Sequence, residues 1–365
     1  MKSPYILYEG IIDPQGGESV AKDWQFNRGE STSFQFLVLI SSPIPNETAA
    51  LRMFLRNFAV GSWNDLWGIT KDEAVAVGTI GGKAVVMTTT DGDTWSSDTL
   101  SAASGELHGV WASDLNNVWA VGTNTNVWHW DGADWELRNT GIVSGARVYG
   151  VWGTPDGQSV YVVAVNGDGN ANDTTRVYVS QRDGDDWTDW AETSGGYVSS
   201  DARMTRIHGT SASNIWIAGS QDEFGDARVF RWNGSTWSWA SPDGNLPRLL
   251  DIWVLSEADA WAVGENGTIL RTTDGGESWE DMYADQFSSM YPSNVNTVWA
   301  PDPNFVWIGL EGGASEITIW HYDGGTAYPV EALDHQFFTI RAIGGSSVDN
   351  AWMIGGTPYA HRIAR

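Results

Sequence analysis

Short apolar runs bounded by Gly, Asp or Asn fill most of this chain, and one of them recurs. Its fullest form is Val-Trp-Ala-Val-Gly, at residues 118–122. It returns at 74–78, 215–219, 260–264, 306–309 and 351–355, with a blurred copy at 160–164. Where the spacing is cleanest, the copies lie 44 to 46 residues apart. Such runs, rich in β-branched and aromatic residues, predict strands. A period in the forties predicts one four-stranded blade per repeat. The expected fold is all-β, a seven-bladed β-propeller.

The second repeat serves as the template. Residues 108–113 (HGVWAS) predict the strand nearest the axis, 118–123 the second, 127–130 the third and 134–138 the rim strand. The turn into the rim strand repeats as TDGDTW at 90–95, WDGADW at 130–135, RDGDDW at 182–187, WNGSTW at 232–237 and TDGGESW at 273–279, with a weakened YDGGTA at 322–327. Asp-Gly and Asn-Gly suit tight hairpins, because Gly tolerates positive φ and the Asp or Asn side chain bonds its own backbone.

The last repeat supplies three strands and no rim strand. An unpaired edge is a liability that folds avoid. Residues 51–60 (LRMFLRNFAV) match a rim strand in place and in letters. They are expected to complete the last blade and close the ring; the alternative for them is a short amphipathic helix. The propeller then covers 49–365. Residues 1–48 are left over, with strand-like runs at 5–12 and 33–40, and are read as an arm that docks to other subunits of a larger assembly.

Nineteen of the 23 tryptophans fall at equivalent strand positions. Recurrence in register argues for packing of blade on blade rather than recognition. Trp24, Trp63, Trp190 and Trp239 fall outside the register.

Composition narrows the function. The net charge is −26, from 30 Asp and 16 Glu against 16 Arg and 4 Lys. Nucleic acid is excluded as a partner, because phosphate binding needs a basic footprint. There is no run of 18 apolar residues, so no membrane insertion is expected. Without cysteine there are no disulfides or thiolate metal sites. No signal peptide is read at the N-terminus.

The Asp-Gly turns resemble the Asp-box (BNR) repeat of sialidases and related propellers. The tryptophan phrase is similar to that of bacterial lectin and photosystem-assembly-factor-like propellers. The Asp-rich, Lys-poor composition resembles that of haloarchaeal proteins. The first two resemblances cover about residues 51–365 and imply a fold rather than an activity. In such propellers the Asp-box is a structural turn on the face away from the usual binding site.

The other face carries the irregular loops, at 166–175, 220–226, 310–316 and 191–204. Function concentrates on such loops. Three of the four border the third and fourth blades. The candidate ligand-binding residues there are Asp168, Asn170, Asn172, Asp173, Tyr197, Asp201, Asp222, Glu223 and Asp226. Asp168, Asn170 and Asn172 alternate oxygens as a calcium loop does, although Asp173 stands where an EF-hand has its glycine. No cofactor is required, with calcium as the one candidate. Catalysis is not expected: there is no zinc or serine-hydrolase motif. Arg206 and Arg341 lie on inner strands but form no arginine cluster by sequence. His208 stands in a tryptophan position and is expected to be core.

These readings point to a non-catalytic binding propeller. Its most specific form is a virion surface component of a haloarchaeal virus contacting host surface glycan or glycoprotein, located on the virion or extracellular surface. The alternatives are a protein-interaction scaffold, cytoplasmic or at the cell surface, and a sialidase-like hydrolase.

Overall fold

The computed structural model describes residues 52–57, 61–100, 105–142, 144–166, 174–181, 187–189, 203–220, 226–287, 293–312, 318–329, 339–355 and 359–364. These form seven four-stranded antiparallel sheets, each a blade. The inner strands, in ring order, are Ser62–Gly68, Leu107–Asp114, Arg147–Gly153, Arg203–Ser211, Leu249–Val254, Val295–Asp302 and Ile340–Ser347. Each touches the next, and the last touches the first, so the blades close into a propeller.

The closing strand is the N-terminal one. Arg52–Asn57 is a strand, not a helix, and forms the rim of the seventh blade. It pairs antiparallel with Tyr359–Ala364, from Arg52 opposite Ala364 to Asn57 opposite Tyr359. Residues 1–48, the proposed arm, lie outside the described residues.

The repeated phrase forms the second strand of each blade, and its tryptophan has a fixed partner. Trp119 lies opposite His129, Trp216 opposite Arg231, Trp261 opposite Arg271, Trp307 opposite His321 and Trp352 opposite Arg362. The Arg231 and Arg271 guanidiniums sit 5.1 and 5.3 Å from their indole centroids, within cation–π range. His129 stacks on Trp119 at 4.1 Å. Where the tryptophan is absent, the partner changes too: Val75 faces Thr88, and Tyr161 faces Val179. The indole therefore selects its cross-strand neighbour. Arg271 also chelates Asp259, with Nε–Oδ1 at 3.3 Å and Nη2–Oδ2 at 2.8 Å. Replacing Arg271 by Ala is expected to cost about 1–3 kcal/mol, from a charge-assisted pair and a stacked cation. Urea denaturation measures this, and an unchanged midpoint would refute the pairing rule.

The Asp and Asn turns are local structure. Asp131 Oδ1 accepts from the N–H groups of Ala133 and Asp134, and Asn233 Oδ1 from those of Ser235 and Thr236. The weakened sixth copy does the same through Asp323. In the fifth blade the Ser278 hydroxyl and N–H bind Asp274, holding its carboxyl down at about 2. A carboxylate depressed below its unfolded value stabilises above that value. This turn's contribution is therefore present above pH ~4 and lost as pH falls toward 2.

The inner strands carry the feature that matters for function. Each has a β-bulge near its start. Ahead of each bulge stands a fully buried apolar residue: Trp63, Leu107, Val148, Met204, Leu249, Val295 and Ile340. Trp63, outside the tryptophan register by sequence, is thus core. Opposite these residues, on the second strand, stands a glycine in five of seven blades, with Ala164 and Leu310 in the other two. A Cβ at Gly78, Gly122, Gly264 or Gly355 would overlap the carbonyl oxygen of Ser62, Glu106, Arg248 or Thr339, just upstream on the inner strand. The glycine makes room for that close approach.

Candidate functional site

A bulge gives one extra residue to one strand and re-aims its side chain. Here the seven extra residues are Asn64, His108, Tyr149, Thr205, Leu250, Asn296 and Arg341. All seven line one cavity of about 310 Å³ at the propeller axis. Arg206, Arg248, Glu311 and Thr339 complete its wall. All these residues sit at or near the inner-strand starts or beside Leu310, so the cavity opens on the end of the ring where the chain enters the inner strands.

Below the mouth lies a smaller space of about 60 Å³, with Asp65, Arg206 and Asp251 in its wall. Arg206, Tyr149 and Arg341 line both spaces. Three residues further along the strands the axis is filled by rings. Trp67, His208 and Trp253 meet there, at 6.3 Å for Trp67–His208, 6.1 Å for Trp67–Trp253 and 4.1 Å for His208–Trp253. Three residues of strand are about 10 Å. The mouth is thus a funnel closed at its base by aromatic packing.

The floor is a charged trio held by backbone. Asp65 accepts from Leu66 N–H and, across the blade boundary, from Val110 N–H, both at 2.9 Å. Asp251 does the same with Ile252 N–H at 2.9 Å and Val298 N–H at 3.0 Å. Arg206 Nε lies 3.9 Å from Asp251 Oδ1, a loose pair. Burial pushes the Asp65 carboxyl up to about 6, against the pull of Arg206 and the two N–H donors, with Asp251 adding to the rise. Burial also raises Asp251, again opposed by Arg206. His208, as expected for core, is driven down to about 3 by burial and accepts from Val254 N–H through Nδ1.

The wall above is mostly compensated. Arg248 pairs with Glu265 at 2.7 Å. The Asn294 amide donates to Glu311 at 2.6 Å. Asn64 donates to Glu106 and to the Leu107 carbonyl, and Asn296 to the Ile340 carbonyl, so both amides tie adjacent blades together. His108 stacks on Tyr149 at 5.1 Å; burial lowers its pKa, opposed by Glu106 and reinforced by Arg206 and Arg147. Arg341 is exposed and carries no ion pair among the described residues.

This site differs from the sequence expectation. Arg206 and Arg341, isolated by sequence, converge with Arg248 on one cavity. Of the loop candidates, Asp226 is the one described: it pairs with Arg228 at 3.6 Å and does not line the mouth. Asp168, Asn170, Asn172, Asp173, Tyr197, Asp201, Asp222 and Glu223 lie outside the described residues, and the calcium candidate with them. Among the described residues no group of acidic or histidine side chains is arranged to hold a metal.

No protein-family model and no curated protein sequence matches the chain. Solved structures do resemble it. YCF48 bound to D1 peptide has a TM-score of 0.63 and 16% identity, over 87% of this chain and 98% of that one. YCF48 from Cyanidioschyzon merolae gives 0.63 and 14%, over 87% and 99%. Virginiamycin B lyase from Staphylococcus aureus gives 0.63 and 11%, over 86% and 99%. At such identities the likeness is one of fold, and it includes both a peptide-bound protein and an enzyme.

Proposed function

We propose that the chain is a non-catalytic binding propeller that seats part of a protein partner in its axial mouth. One observation carries this reading: each of seven blades contributes one bulged side chain to a single blind funnel. Concave sites with a few convergent polar groups are where ligands bind. Rigid strands hold the funnel, so a partner meets a preformed surface. The peptide on the similar YCF48 structure favours a protein segment as the occupant.

The test starts from peptides selected on the full chain by phage display. Leu250→Trp places an indole in the mouth and leaves the rim untouched. Its affinity for the selected peptides is expected to fall at least about tenfold, or 1.4 kcal/mol. Selected peptides that bind both proteins equally would refute the assignment.

The virion-surface setting is a more specific form of this reading. In it, residues 1–48 are the assembly arm and a host glycan or glycoprotein is the partner. It rests on the acidic composition and the unmatched N-terminal segment. A scaffold role inside or on a cell uses the same funnel.

One observation favours the hydrolase as a second reading: three arginines and Tyr149 line the mouth, and Asp65 lines the smaller space that shares Tyr149, Arg206 and Arg341 with it. Against it, Glu265 occupies Arg248, and the Tyr149 ring stacks on His108 with no carboxylate bonded to its hydroxyl among the described residues. Turnover of fluorogenic sialosides that Tyr149→Phe abolishes would favour the enzyme over the binder.

A further inference from the structure

The three arginines around the funnel are unequally paired, and the difference indicates what enters. Arg248 is satisfied by Glu265. Arg341 is exposed at the wall with no ion pair among the described residues. Arg206 is shared between two floor carboxylates and holds neither tightly, lying 3.9 Å from Asp251. Arg206 and Arg341 each line both spaces. A guanidinium free of an ion pair, beside a second one that is loosely held, suits a planar carboxylate, which accepts parallel hydrogen bonds from a guanidinium fork.

We propose that the mouth is a proton-coupled carboxylate site, in which one carboxylate bridges Arg206 and Arg341 and one proton is taken up by the Asp65–Asp251 pair beneath. This rests on the mouth being the binding site. The coupling follows from geometry. An incoming carboxylate draws Arg206 toward itself, leaving two buried carboxylates with less compensation. Two such groups sharing one cation cannot both stay ionised cheaply, so one takes a proton. Asp65, already raised to about 6, is poised for this near neutral pH.

The other charged groups facing this space set the direction. On the second blade burial lowers the His108 pKa, opposed by Glu106 and reinforced by Arg206 and by Arg147 of the third blade. Arg248, Glu265 and Glu311 form the wall from the fifth and sixth blades, and His208 below stays neutral. If the bound form holds the floor proton more tightly than the free form, affinity rises as pH falls toward about 6. It then levels, and fails below pH ~4 as the ligand itself protonates.

The carboxylate can come from a peptide or from a sugar acid, and two probes separate them: N-acetylglycine and glucuronate. Calorimetric titration of the full chain at fixed salt, between pH 7.5 and 5.5, is expected to show about five- to tenfold tighter binding at the acid end. Repeating it in buffers of different ionisation enthalpy should show net uptake of a proton. The probe bound more tightly identifies the source. Arg341→Ala, on an exposed side chain, should abolish binding without altering thermal stability. His108→Gln should preserve the pH dependence, assigning it to the floor. Proton uptake of zero, or equal affinity for N-acetylglycine and its amide, overturns the proposal. If selected peptides still bind the mouth in that case, the binding reading stands and only the carboxylate assignment falls.

Discussion

A chain lacking residues 1–60 is expected to lose its cooperative thermal transition, whereas one lacking 1–48 keeps it. The difference is the strand Arg52–Asn57, the rim of the seventh blade. Without it Tyr359–Ala364 becomes an unpaired edge, and the backbone bonds of six opposed residue pairs are lost. The larger effect is topological. The other six blades are each continuous in sequence, and only the seventh joins the two ends of the chain. Removing the clasp leaves the ring open between the seventh blade and its neighbours, where Ala342, Trp352 and Ile354 pack with Trp63 and Leu66. Differential scanning calorimetry and near-ultraviolet dichroism of the tryptophans would report the change. Equal transitions for the two truncations would show that the ring closes without the strand.

Gly122→Ala is expected to destabilise by about 3 kcal/mol or more, a large effect for a single methyl group. The added Cβ would overlap the Glu106 carbonyl oxygen, a backbone atom that cannot rotate away. Relief requires the inner strand to shift just ahead of the bulge at His108. The cost therefore has two parts: strain in the blade and a displaced mouth residue. Ala164 and Leu310 occupy the same register position in two other blades, opposite Val148 and Val295. Guanidinium denaturation measures the stability. A loss under about 0.5 kcal/mol, the range of an ordinary surface change, would contradict the close-approach argument.

The scaffold was legible because it repeats. The phrase at 118–122 and its copies mark the second strands, and the Asp-Gly and Asn-Gly turns mark the third hairpin of the first six blades. Even the clasp could be read, since Met53–Asn57 echoes a rim strand in letters. The mouth was hidden because it does not repeat. Its seven residues are Asn, His, Tyr, Thr, Leu, Asn and Arg, and no residue type recurs often enough to be noticed. The signal was positional: each stands three residues before the inner-strand tryptophan. That ruler fails by eye at the fourth and seventh blades, where His208 and Gly344 replace the tryptophan. Those are the blades that carry Thr205, Arg206 and Arg341. Two arginines three blades apart in sequence become neighbours only when a ring brings their strands to one axis. Trp63 falls outside the register for a related reason, since a bulge separates it from the positions that hold the other indoles.

The repeated phrase thus serves the site as well as the core. Its glycine admits the inner-strand carbonyl, the bulge follows, and the bulge turns one side chain per blade into the funnel. Stability and recognition share those few backbone positions, and a substitution at the glycine is expected to affect both.

The protein has no cysteine, so a single thiol can report on one place. Thr205→Cys puts it in the mouth, and Ser235→Cys puts it on an exposed turn of the opposite face. Alkylation rates of both, with and without a saturating selected peptide, locate the ligand. Binding in the axial funnel predicts that the peptide protects Cys at 205 at least about tenfold and leaves 235 unchanged. Unprotected alkylation at 205, with the peptide demonstrably bound, would place recognition elsewhere on the molecule.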